Sequence, residues 1–305
     1  MPKIIVGVDE SDRSKDAVAL AARLARGSAE LVLVCAYPYD DLPGRGEVAG
    51  YRQYLREDAE AVLQRAQEDV ADLPEVSTRL IAELSAAKGI QELAVREGAS
   101  LIVIGSSHRS GVGRVFAGTT AERLLHGAPC PVAVAPQGLH GHESGRIETI
   151  AVAYDHSKES KAALAAATGM ARGLGARLRL VEVLDMLWIG TPALMSGPGY
   201  IVPPAEIEER ARKRLAEIVA GLPEDVAGEA VVLVGDPASD LATQSESADL
   251  MIAGSRGYGP HRAVLLGSVS GRLVRHAACP VIVVPRGVEA PLEELFRAPT
   301  GSHAA

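Results

Sequence analysis

Residues 123–136 read RLLHGAPCPVAVAP, and residues 272–285 read RLVRHAACPVIVVP. The arginine, the leucine after it, one alanine, the Cys-Pro pair, two valines and the closing proline recur at one constant offset. A repeat of this kind indicates two copies of one structural unit, which decides the architecture before any local prediction is made. The chain therefore consists of two similar halves.

The two halves also begin alike. Residues 4–11 read IIVGVDES and residues 149–157 read TIAVAYDHS, in each case an apolar, strand-like run that ends in Asp-x-Ser. The polar stretch 137–145 lies between the two copies and is typical of a linker. With 305 residues the chain is long enough for two hydrophobic cores. We therefore predict a first domain at 1–145, a second domain at 146–288 and a disordered tail at 289–305.

Short apolar runs alternate with longer helical patterns in each half, which is the sequence form of βαβ units. The apolar fraction of 47% rests mostly on Ala, Val and Leu, with 3% aromatic residues, which is typical of buried parallel strands and alanine-rich helices. The predicted fold class is α/β, with two tandem Rossmann-like domains, each a five-stranded parallel doubly wound sheet. The predicted strands are 4–8, 31–36, 78–84, 101–104 and 132–135, then 150–154, 178–183, 230–234, 250–253 and 281–284.

Composition narrows the classes of function. A formal net charge of -8 offers no broad basic surface, so nucleic acid is not expected as a partner, and an anion would have to be bound locally by backbone N–H groups and one or two arginines. No apolar run approaches the length of a membrane span, so no membrane partner is expected. Three scattered cysteines and an opening without a signal-peptide pattern predict a cytoplasmic location.

The strongest chemical signal is residues 254–270, GSRGYGPHRAVLLGSVS, which lie between an apolar run and a helical pattern. Their spacing is G-x2-G-x9-G-S. Glycines let a backbone approach a ligand closely, and a helix N-terminus offers N–H groups to phosphate oxygens. Arg256 adds a candidate charge-assisted contact to the same anion. The alternative is that the glycines serve only turns and helix capping.

An aspartate follows the first strand of each half, Asp9 in the first and Asp155 in the second. In an open α/β sheet, ligands bind beyond the carboxyl ends of the strands, where the winding reverses. A carboxylate at such an end can accept a hydrogen bond from a ribose or a base while the glycine loop holds phosphates. The alternative for both residues is an Asx turn or a charge at a helix start.

On these residues, each half resembles the universal stress protein family, in its strand order, its Asp after the first strand and its G-x2-G-x9-G-(S/T) loop. Gly235-Asp236-Pro237 also matches that family's G-x-P turn. The resemblance implies an ATP-binding protein with a regulatory or sensory role in the stress response, and an intramolecular pseudo-dimer of the two halves, with a homodimer left open. Any Mg2+ would be ligated by phosphate oxygens and water, so no metal-binding residue is assigned. The implied second-half site, with Arg256 added from the loop, is Asp155, Val183, Ala253, Gly254, Arg256, Gly257, Gly267, Ser268, Val269 and Ser270.

The first half departs from the pattern. Residues 105–120 read GSSHRSGVGRVFAGTT, with His108 where the second motif glycine belongs. A histidine fills space that a glycine leaves free, so ATP is expected to bind more tightly in the second half. The first-half site would consist of Asp9, Ala36, Gly105, Gly118 and Thr119.

Two other functions stay open from the sequence. The Walker pattern G-x4-G-K-[ST] and the G-x-S-x-G elbow are both absent, so no catalytic residue is assigned, and an enzyme would be at most a slow ATP hydrolase. The other alternative is an interaction module of the same fold that binds no nucleotide.

Overall fold

The computed structural model describes residues 1–25, 28–39, 49–106, 119–141, 145–185, 204–255, 268–288 and 292–296. The first half contains β1 (Lys3–Gly7), α1 (Arg13–Ala25), β2 (Glu30–Tyr37), α2 (Ala49–Glu68), β3 (Val76–Ala82), α3 (Ala86–Glu97), β4 (Leu101–Gly105), α4 (Thr119–Gly127) and β5 (Val132–Ala135). The second half contains β6 (Thr149–Ala153), α5 (Lys158–Leu174), β7 (Arg177–Asp185), α6 (Pro204–Ala220), β8 (Gly228–Gly235), α7 (Pro237–Gln244), β9 (Leu250–Gly254), α8 (Ser268–His276) and β10 (Val281–Val284). Short 3-10 helices lie at Leu139–Gly141, Ser245–Ser247 and Leu292–Phe296.

These strands form one sheet in the order β3-β2-β1-β4-β5-β10-β9-β6-β7-β8. Within each half every neighbouring pair is parallel, and the order third, second, first, fourth, fifth occurs twice. This order, which reverses beside the first strand, is that of a doubly wound sheet. The predicted α/β class is confirmed, and the two five-stranded sheets are joined edge to edge.

The joint between the halves is the pair β5 and β10. These strands are antiparallel, with Val281 opposite Val134 and Val283 opposite Val132. All four valines are buried, and an apolar strand of this kind left unpaired is a template for pairing with another chain. The two halves therefore pack against each other through these strands, in keeping with the expected intramolecular pseudo-dimer. Because the pair is antiparallel, the strands of the two halves run in opposite directions. Their carboxyl ends therefore lie on opposite sides of the sheet, measured along the strand direction.

Helices cover both faces of the sheet. Leu20 of α1 and Met170 of α5 belong to one apolar cluster, and Leu93 of α3 and Leu273 of α8 belong to the other. Successive residues of a strand point to opposite faces, so buried strands feed both clusters. Each cluster runs through both halves, which therefore share two continuous cores.

The linker predicted at 137–145 is anchored on the first half by Asp16 of α1. The side chain of Asp16 is buried, and its carboxylate accepts hydrogen bonds from the backbone N–H groups of Gly138 and His140, both at 3.0 Å. The Nδ1 atom of His140 lies 2.7 Å from the same carboxylate. One buried side chain thus fixes the path of the chain as it leaves β5.

We expect Asp16→Ala to lower the free energy of unfolding by about 2 kcal/mol, because the two backbone donors of the linker lose their buried acceptor. Urea unfolding measures the change. The matched control is Asp12→Ala, which removes an exposed carboxylate just before α1 and should shift stability by less than about 0.5 kcal/mol. Equal losses in the two variants would contradict this role of Asp16.

The prediction of a disordered tail at 289–305 is wrong for residues 292–296. Leu292 and Leu295 of this 3-10 helix are fully buried, and Phe296 packs so closely on α5 that a Cβ atom at Gly173 would have no room. The carbonyl of Leu295 also accepts a hydrogen bond from the Ser28 hydroxyl of the first half. Two leucines three residues apart form too short a pattern to reveal such contacts. The rest of the tail lies outside the described residues.

Candidate functional site

A cavity of about 250 Å³ opens at the carboxyl ends of β1, β2 and β4 in the first half. Its lining combines apolar side chains with a carboxylate, a guanidinium and two hydroxyls. A doubly wound sheet receives its ligands at this position. The lining residues are Gly7, Val8, Asp9, Arg13, Ser14, Val34, Ala36, Ala86, Ile90, Ile104, Gly105, Thr120 and Ala121.

The structure brings together three of the five residues predicted for the first-half site. Asp9, Ala36 and Gly105 all line the cavity. Thr119 begins α4, whose next residue, Thr120, is on the cavity wall. Gly118 lies outside the described residues. Sequence reasoning thus found the strand ends but not the helix residues that close the cavity.

Asp9 is positioned by its own loop. Its Oδ1 atom accepts a hydrogen bond from the backbone N–H of Ser11 at 2.9 Å, and further hydrogen bonds from the hydroxyls of Ser11 and Ser14. This is the Asx turn that the sequence left open as an alternative. The turn orients the carboxylate at the cavity rim, so the structural role and a ligand-binding role are compatible.

Arg13, the first residue of α1, was missed by the sequence analysis. Its Nε atom donates to the Ser11 hydroxyl at 2.8 Å, and its guanidinium forms an ion pair with Oδ2 of Asp9 at 3.2 Å. These two contacts hold a positive charge on the cavity rim. The signal was its spacing, because a residue four positions after Asp9 at the start of the next helix must lie near the same strand end.

The strand-end glycines are required by packing. A Cβ atom at Gly254 would lie 2.7 Å from backbone and side-chain atoms of Glu159. A Cβ atom at Gly105 would lie 2.8 Å from the Cβ of Arg13 and 2.9 Å from its carbonyl carbon. Such distances are below normal contact, so the first glycine of each loop motif lets a helix start pass close to the strand end. Close packing therefore accounts for this glycine of the motif, in addition to the turns and helix capping considered from the sequence.

The second half places its described site residues in the same way. The Asp155 carboxylate accepts a hydrogen bond from the backbone N–H of Ser157 at 3.1 Å and another from the Ser157 hydroxyl, which is the turn found at Asp9. The remaining described residues stand at strand ends or in the first turn of α8, namely Val183, Ala253, Gly254, Ser268, Val269 and Ser270. The residues Arg256, Gly257 and Gly267 lie outside the described part of the chain.

A buried carboxylate beside this second-half turn was also missed. Glu182 of β7 is 5% exposed, with the Nε2 atom of His156 at 3.1 Å and a guanidinium nitrogen of Arg214 at 3.8 Å. His156 has a φ of 62°, which is uncommon for a residue with a side chain. By strand register Cys35 is the first-half equivalent of Glu182, and burial, then the charges of Asp9 and Glu10, raise the pKa of this thiol to about 11.

The G-x-P turn forms an N-cap. Asp236 accepts a hydrogen bond from the backbone N–H of Ser239 at 2.8 Å and binds the guanidinium of Arg272 in α8 through both carboxylate oxygens. The backbone hydrogen bond from Ser239 and then Arg272 hold the pKa of Asp236 below its usual value. In the first half, Ser85 caps α3 instead. The turn therefore ties α7 to α8, whose N-terminus belongs to the predicted site.

Two further polar groups mark both sites. The hydroxyls of Ser106 and Ser255, each directly after a strand-end glycine, are buried and have no hydrogen-bond partner among the described residues. Buried polar groups usually have a hydrogen-bond partner, so each such hydroxyl calls for an explanation.

Over the described segments, no three His, Cys, Asp or Glu side chains are grouped so as to hold a metal ion. None of the described helices is long and apolar enough to cross a membrane.

The fold, with a cavity at the strand ends of the first repeat, defines a class of tandem, doubly wound α/β proteins. The model of the universal stress protein family matches residues 1–136 and again 146–285. The chain belongs to the universal stress protein family.

Relatives of this family match either most of the chain or about half of it. A universal stress protein of Mycolicibacterium smegmatis is 32% identical over 297 residues, which is 92% of this chain and 96% of the relative. A universal stress protein of Thermus aquaticus is 36% identical over 141 residues, which is 45% of this chain and 98% of that shorter protein. The crystal structure of a universal stress protein from Archaeoglobus fulgidus shares the fold, with a TM-score of 0.69 at 22% identity over 93% of this chain and 98% of that one.

Proposed function

We propose that this protein binds ATP in its strand-end clefts and serves as a regulatory or sensory protein of the stress response. The observation that carries the proposal is the cavity at the ends of β1, β2 and β4, because its lining combines apolar side chains with a positioned carboxylate. An adenine ring suits the apolar side chains, and a ribose hydroxyl can donate to Asp9.

The size of the cavity fits part of the nucleotide. Its volume of about 250 Å³ is somewhat below the roughly 300–1,000 Å³ typical of small-ligand pockets, which suits a base and ribose with the phosphates outside. The N-terminus of α4 stands at the rim through Thr120, and helix N-terminal N–H groups favour phosphate oxygens. Mg2+ would accompany ATP through phosphate oxygens and water.

The second half is proposed as the tighter site. Its loop has a glycine at position 257, where the first half has His108, and its Asp155 turn repeats the Asp9 turn. A backbone N–H without a side chain beside it can approach phosphates most closely.

We also propose a cytoplasmic location, which is supported by three buried free thiols.

Calorimetry with ATP and Mg2+ tests binding. We expect heat of binding and a stabilisation that grows with ligand, reaching about 2.7 kcal/mol when ATP is one hundred times above its dissociation constant. Asp155→Ala should remove the tighter of two sites and Asp9→Ala the weaker one, which apportions the heat between the halves. Absence of both heat and stabilisation at millimolar ATP would leave the nucleotide-free interaction module as the better account. Sustained turnover above about one per second would instead favour an ATP-hydrolysing enzyme.

A further inference from the structure

The two halves carry side chains of opposite charge at one equivalent position beside a strand end. Arg13 is the fourth residue after Asp9, and Glu159 is the fourth residue after Asp155. Each packs against the strand-end glycine of its own half, so the two residues occupy the same place in the repeated fold. The first half has a guanidinium at this place, and the second half has a carboxylate.

The charge of Arg13 faces the cavity of the first half. Its contacts with Ser11 and Asp9 use two of the five N–H donors of a guanidinium and fix its position on the rim. Thr120, in the first turn of α4, lines the same cavity. The N-terminus of a helix carries a partial positive charge. The ion pair with Asp9 offsets the charge of Arg13, but its remaining N–H donors and this helix N-terminus both lie at the cavity.

The equivalent position of the second half adds no positive charge. The side chain of Glu159 is 17% exposed and forms an ion pair with Nε of Arg286, just after β10, at 3.3 Å. The carboxylate of Glu159 offsets this arginine, so the pair as a whole is neutral. The two halves thus share this close approach of helix and strand end and differ in the side chain that stands there.

We propose that Arg13 recognises phosphate in the first-half cleft and gives this cleft its preference for ATP over adenosine. This inference rests on the proposed function and names the residue that selects the phosphorylated ligand. Arginine presents a planar set of donors that matches phosphate oxygens, and charge-assisted hydrogen bonds of this kind are strong. In a protein with a net charge of -8, a phosphate site needs such a local positive charge.

The test titrates ATP and adenosine separately into the full chain carrying Asp155→Ala, so that binding reports on the first half. Adding Arg13→Gln should lower the affinity for ATP about thirtyfold, while the affinity for adenosine changes by less than about threefold. Arg13→Lys should recover part of the ATP affinity, since it keeps the charge and loses the planar donors. The matched control is Lys15→Gln, which removes an exposed positive charge of α1 that does not line the cavity. This control should leave the affinities for both ligands unchanged. Added salt should lower the affinity for ATP less in the chain with Arg13→Gln than in the chain with Asp155→Ala alone.

Each other outcome is decisive. If Arg13→Gln weakens ATP and adenosine equally, or neither, Arg13 does not select phosphate and the inference is overturned. If the chain with Asp155→Ala binds no ATP while the unaltered chain does, ATP binds in the second half alone, which overturns the inference and leaves the proposed function standing. If the unaltered chain binds neither ligand, the proposed function fails and the inference with it.

Discussion

Gly254→Ala is expected to lower the free energy of unfolding by about 3 kcal/mol, the upper end of the usual cost of overpacking. The new Cβ would lie 2.7 Å from backbone atoms of Glu159, at the start of α5, and a helix backbone cannot give way as a flexible side chain can. Gly105→Ala should cost a similar amount, because it meets the backbone of Arg13 in the same manner. Urea unfolding of the nucleotide-free protein measures both.

The control for these two variants is Gly50→Ala. A Cβ atom at Gly50 of α2 meets nothing within 4 Å, and alanine favours a helix, so no loss of stability is expected. If Gly254→Ala were as stable as the unaltered protein, the close approach of α5 would not constrain this position, and its glycine would be explained by a ligand alone.

A fragment of residues 1–145 is expected to self-associate or aggregate through β5. In the full chain this strand is already paired, so it does not drive self-association. In the full chain β5 is covered by β10, and Val132, Val134 and their neighbours are fully buried. The fragment leaves this apolar strand as an open sheet edge, which pairs readily with another copy. Light scattering coupled to size-exclusion chromatography, run over a dilution series with the full chain beside it, measures the association. A monodisperse monomeric fragment at every concentration would refute this account of the joint.

Most of the sheet could be predicted from the sequence because the repeat and the buried strands are local patterns. Strands 132–135 and 281–284 match the structure residue for residue, since Pro131 and Pro136 delimit the first and proline also flanks the second. The third strand, predicted at 78–84, runs from Val76 to Ala82, because it is a half-exposed edge strand without a strong apolar pattern. Apolar runs with flanking prolines therefore locate central strands more accurately than edge strands.

The site could be predicted only where it depends on strand ends. Asp9 and Gly105 follow apolar runs, so their positions were visible. Arg13 could not be assigned to the cavity from its residue type, since an arginine near a helix start usually contacts solvent. Glu182 was hidden for a different reason, because its partners are His156, 26 residues earlier, and Arg214 of α6. Such long-range pairings are set by tertiary contacts that no local pattern carries.

The antiparallel joint between β5 and β10 has a consequence for how the protein can be recognised. Since the carboxyl ends of the strands of the two halves point in opposite directions, one rigid partner that covers the strand ends of the first half leaves those of the second half uncovered. Under the proposed function, ligands of the two halves would therefore exchange without steric competition. Any thermodynamic coupling between them has to pass through the shared cores and the four-residue strands at the centre of the sheet.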